Sequence, residues 1–96
     1  MSPENKKKLK KLRKKLDNLD NLLFNLIKQR TKIVKEVLKL KDYKNQIVDN
    51  KRIKIILARI KKKSIKNKLD PKITNKIWIN MIRSYIDFEK RNFKKK

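Results

Sequence analysis

The 96-residue sequence contains no cysteine, no histidine and no glycine, and only two prolines. Without cysteine there is no disulfide and no thiol nucleophile. Without histidine there is no imidazole base and no ordinary zinc site. Lack of glycine excludes P-loops and dinucleotide-binding turns, whose backbones approach phosphate where a Cβ would intrude. Acidic residues are scarce too, 9 against 32 Lys and Arg, for a net charge of +23. No apolar run approaches the roughly 18 residues of a membrane span, and no short apolar core of a signal peptide is present. These absences lead to an expectation of a small, soluble, cytoplasmic protein with no membrane partner. A single domain, residues 1–96, accounts for the whole length, and at this size it buries about 60–65% of its unfolded surface.

What is present in excess is lysine. A pI near 10.5 first suggests nucleic acid, because Lys and Arg release counterions from phosphates. Yet Arg occurs only at positions 13, 30, 52, 59, 83 and 91, whereas bidentate reading of phosphates or bases favours Arg over Lys. Ile, Leu and Asn are abundant and Ala occurs once, at Ala58, the pattern an AT-rich coding sequence produces by drift. Many lysines therefore read as solvated helix surface, and a nucleic-acid partner is the disfavoured reading.

Leu9, Leu12, Leu16, Leu19, Leu23, Leu26, Arg30, Ile33, Val37 and Leu40 recur at alternating steps of three and four. That spacing predicts one long helix with a continuous stripe. Ser2-Pro3-Glu4 supplies its start, with a cap residue, Pro in the first turn and an early acid. From Leu9 to Lys41 the helix would be about 50 Å long, whereas a compact monomer of this size is only about 32 Å across. A twofold dimer with the long helices side by side resolves the mismatch. The period breaks at Asp42-Tyr43-Lys44-Asn45-Gln46, a loop. Asp49 can cap a second helix whose face is Ile53, Ile56, Leu57 and Ile60. Asp70-Pro71 starts a third, carrying Ile73, Ile77, Trp78, Met81, Ile82, Tyr85, Ile86 and Phe88 and fraying into Lys94-Lys95-Lys96. No segment alternates with period two. The fold class is all-α, one long helix and two shorter ones.

Candidate functional residues are those that violate the apolar pattern. Arg30 occupies a stripe position between Leu26 and Ile33, and a guanidinium there must be paired. Its partner is an acid, a register-setting group in a dimer, or an anionic ligand. Arg13 and Lys41 each follow a stripe residue, Leu12 and Leu40, and so share its edge; snorkelling surface chains are the plain alternative. Glu89 is four residues after Tyr85 and seven after Ile82, which puts a carboxyl on an apolar face unless the helix end is exposed. A buried carboxyl favours its neutral form and can then donate a hydrogen bond. Arg52, in the first turn beside Asp49, is either a further anion ligand or a solvated charge. Tyr43 and Trp78 make a weak stacking signal, and Trp78 fits the core better. Three cations along one helix face suggest a small polyanion.

These residues fall in a familiar order. Leu12-Arg13-Lys14-Lys15-Leu16-Asp17-Asn18-Leu19-Asp20 followed by Leu26-Ile27-Lys28-Gln29-Arg30 resembles the opening of the all-helical chorismate mutases. So do Lys41, then Ile47-Val48-Asp49-Asn50-Lys51-Arg52, then Leu69-Asp70-Pro71, and last Ile77-Trp78 leading into Met81-Ile82-Arg83-Ser84-Tyr85-Ile86-Asp87-Phe88-Glu89. The resemblance runs over roughly residues 9–90. It implies an intertwined homodimer with shared active sites, chorismate as substrate, prephenate as product, and no cofactor or metal. Such a pericyclic reaction needs no nucleophile or base, only a folded conformer of a dianion and charge complementarity at the breaking ether bond. By the same resemblance Arg13, donated across the dimer, and Arg30 grip the two carboxylates, with Arg52 assisting. Lys41 and Glu89 meet the ether oxygen, and Asp49 lies near the substrate hydroxyl.

Three positions depart from the common family pattern. Glu89 stands where Gln is usual and can donate only when protonated. Ile53 stands where an acid often meets the substrate hydroxyl. Tyr85 replaces a small hydroxyl residue one turn before position 89. The pairs Arg52-Ile53 and Tyr85-Ile86 look more like the branch that also contains isochorismate pyruvate lyase, an enzyme of salicylate synthesis. The expectation is therefore a chorismate mutase, with the lyase as alternative and a basic nucleic-acid binder as the third reading.

Overall fold

Three helices form where the caps lie. In the structure, a computed structural model that describes residues 1–95, Ser2 Oγ accepts from the backbone N–H of Asn5 at 3.1 Å. Asp49 accepts from Arg52 N–H at 3.0 Å, and Asp70 from Lys72 N–H at 2.9 Å with Pro71 at the first helical position. Each cap satisfies a donor that the first helical turn leaves orphaned. The helices are α1 (Pro3–Leu40), α2 (Asn50–Lys66) and α3 (Pro71–Asn92), with a short 3-10 turn at Lys44–Gln46. Among the described residues there is no strand. Lys41, expected as the last residue of the long helix, lies one position beyond it, its N–H closing onto the Leu38 carbonyl at 3.2 Å.

The chain divides into two compact units, residues 1–34 and the residues from Lys35 onward, with the division inside α1. The first unit is a single helix. Leu12, Leu16, Leu19, Leu23, Leu26 and Ile33 are all more than half exposed, because one helix has nothing in its own unit to bury a stripe against.

The second unit is built on α2 packed against α3. Its most buried residues are Leu38, Ile47, Ser64, Thr74 and Glu89, an unusual set in that three are polar. Ser64 donates its hydroxyl to the Ile60 carbonyl at 2.6 Å, and its Oγ lies 2.7 Å from Thr74 Oγ1 across the α2–α3 contact. Trp78, expected in the core, is half-buried, and Ile73 and Ile77 on the same helix are exposed.

The α2–α3 turn has a specific geometry. Leu69 N–H bonds to the Ser64 carbonyl at 2.9 Å and Lys68 N–H to the Ile65 carbonyl at 3.2 Å. This is a Schellman turn, which requires a left-handed residue just past the helix. Lys68 fills that place with φ 54°. A chain without glycine has set a lysine where glycine is favoured.

Candidate active site

Two of the candidate residues meet directly. Glu89 faces inward on α3 because Tyr85 and Ile82, one and two turns earlier on the same helix, share its face. It is 6% exposed. A carboxylate so buried needs a counter-charge, and the Lys41 ammonium supplies one, donating from Nζ to Glu89 Oε1 at 3.2 Å. Lys41 reaches inward from the turn just beyond α1, and its side chain is 19% exposed. Of the two alternatives open for Glu89, a buried carboxyl and an exposed helix end, the structure has the first. Tyr85 is half-buried on the same helix.

Asp49 and Arg52 are both exposed at the start of α2. They meet through the cap, Asp49 Oδ1 holding the backbone of Arg52. That contact settles the local role of Asp49 and leaves the Arg52 guanidinium on the surface. Arg13 and Arg30 belong to α1 in the first unit, Arg13 exposed and Arg30 half-buried. Among the described residues no group of three or more Asp or Glu side chains stands together as a metal site.

The surroundings of Lys41 contain two residues that sequence reasoning passed over. Gln46 Oε1 accepts from the N–H of Asp42 at 2.7 Å and of Tyr43 at 2.9 Å, pinning the turn that follows Lys41. Lys95, expected to fray, instead donates from Nζ to the Lys39 carbonyl at 2.5 Å and lies 3.7 Å from the Asp42 carboxylate. Nothing in a terminal run of lysines distinguishes the one that folds back. For Gln46 a faint signal exists, a side-chain acceptor three residues after Tyr43 in a stretch without regular structure.

Residues 12–90 match the family model described as Chorismate mutase type II. No curated protein and no solved structure matches the chain.

Proposed function

The chain belongs to the chorismate mutase type II family, and we propose that Lys41, Glu89 and Arg30 carry its reaction, the rearrangement of chorismate to prephenate. This is a step of aromatic amino acid biosynthesis on the branch to Phe and Tyr. One C–O bond of the substrate breaks as one C–C bond forms, within a single molecule and without net proton transfer. The enzyme's contribution is to select a compact conformer of a dianion and to complement the charge that grows on the ether oxygen. Arg30, with Arg13 from a second copy, binds the two carboxylates, and Arg52 assists. Asp49 and Tyr85 complete the edge of the site, Asp49 near the substrate hydroxyl. Lys41 donates to the ether oxygen in any state, and Glu89 donates when protonated.

The observation that best supports this assignment is the ion pair between Lys41 and buried Glu89, inside a match that spans both compact units. The span also supports reading residues 1–96 as one domain. A twofold dimer completes the proposal. A second copy would cover the exposed leucine stripe of α1 and bring its own Arg13 to the site. Among the described residues no helix is long and apolar enough to cross a membrane, and we place the enzyme in the cytoplasm with a small-molecule substrate, not a nucleic acid, as its partner.

The test is to incubate the pure protein separately with chorismate and with isochorismate and identify the products. Prephenate from the first is expected. Salicylate and pyruvate from the second, with no prephenate from the first, would replace this reading with the lyase.

A further inference from the structure

We propose that Lys95 is a positioning residue for Lys41, a role that rests on the reading of Lys41 as a catalytic residue. Lys41 follows the last residue of α1, where the helix leaves its final carbonyls without intrahelical partners. The Leu38 carbonyl is taken by the N–H of Lys41 itself, and the Lys39 carbonyl by the ammonium of Lys95. The same ammonium is 3.7 Å from the Asp42 carboxylate. Lys95 therefore spans from the second residue before Lys41 to the residue after it. Gln46 holds the N–H groups of Asp42 and Tyr43 from the other side. The main chain on both flanks of Lys41 is tethered by side chains from elsewhere in the second unit.

The tail that brings Lys95 back is itself anchored. Phe93, half-buried, lines a cleft with Leu38 and Phe88, so one segment running from α3 into the tail supplies both Glu89 and Lys95. The first touches the Lys41 ammonium and the second fixes the turn from which that ammonium extends. A lysine has four rotatable side-chain bonds, and a donor must be held to a fraction of an ångström for catalysis. Lys95 is about half exposed, and an exposed ion pair adds little to stability. Its removal should therefore loosen Lys41 while leaving the fold almost as stable as before.

The experiment uses the full chain and follows the loss of chorismate. Lys95→Met is expected to lower kcat about five- to tenfold, with KM changed less than about twofold and the thermal midpoint nearly unmoved. Lys95→Arg, which can still donate to the Lys39 carbonyl, should restore most of kcat. In a Lys41→Met background, adding Lys95→Met should change the residual rate no further, since a residue acting through Lys41 has nothing left to position. Unchanged kcat in Lys95→Met, failure of Lys95→Arg to rescue, or an undiminished effect in the Lys41→Met background would each overturn the proposal. Full activity in Lys41→Met would instead overturn the catalytic reading of Lys41, so the two failures are distinguishable.

Discussion

The Lys41 ammonium and the Glu89 carboxylate stand 3.2 Å apart, one just past the end of α1 and the other buried near the end of α3. The pair has an asymmetry that matters for chemistry. Lys41 has three N–H donors, so it can keep Glu89 and still offer one to a bound oxygen. Glu89 is an acceptor when ionised, and meets an ether oxygen favourably only with a proton in place. One pair thus holds a permanent donor and a conditional one.

Two substitutions test the part Glu89 plays. Glu89→Gln puts a neutral N–H donor of similar shape in place of the carboxyl. It should retain kcat or raise it. Glu89→Ala removes the donor and strands Lys41, and should lower kcat by about 10²–10³-fold, the usual loss for one transition-state donor. Unchanged kcat in Glu89→Ala is incompatible with a role for Glu89 in the reaction.

Arg30 separates catalysis from mere basicity. Arg30→Ala should cut kcat/KM by at least about 10²-fold, because a charge-assisted clamp on a carboxylate is lost. Retention on immobilised DNA should hardly change, since only one of 32 cationic residues is removed. Loss of DNA retention without any turnover to lose would favour the nucleic-acid reading instead.

Most of the architecture was legible because it rests on local rules. Caps at Ser2, Asp49 and Asp70, and the stripe from Leu9 to Leu40, depend only on near neighbours. Glu89 was legible as a carboxyl out of place on an apolar face. Its pairing with Lys41 was not readable from periodicity, because it joins positions 48 apart through a turn; only the family resemblance put them together. Lys95 and the Ser64–Thr74 bond were missed for the same reason. Among so many lysines, composition does not single out the one that folds back, and two small hydroxyl residues carry no hydrophobic signal.

The shared-site proposal makes a sharp prediction about mixtures. Arg13→Ala and Arg30→Ala should each be inactive as homodimers. If each site takes Arg13 from one copy and Arg30 from the other, a mixed dimer contains one site with both substitutions and one with neither. Co-refolding the two variants should therefore restore substantial activity, measured as prephenate formation against each variant alone. Without restoration, Arg13 and Arg30 either serve the same copy or do not share a site. A companion variant, Leu19→Glu and Leu23→Glu together, places charge on two stripe residues that are more than half exposed in the single chain. It should shift sedimentation toward the monomer and remove activity.

The absence of glycine has a measurable consequence at Lys68. Its φ of 54° is the left-handed conformation, which costs a residue with a Cβ about 1–2 kcal/mol. The turn is retained because it ends α2 with two hydrogen bonds and starts α3 on its Asp70 cap. Lys68→Gly should relieve the strain while losing part of the gain to the greater freedom of glycine in the unfolded chain. A net stabilisation of up to about 1 kcal/mol is expected, worth roughly 4–8 °C in a domain of this size. Lys68→Ala removes the same charge and keeps the Cβ, so it should give no such gain. If Ala stabilised as much as Gly, charge repulsion among the neighbouring lysines, not backbone strain, would be the cost carried at this position.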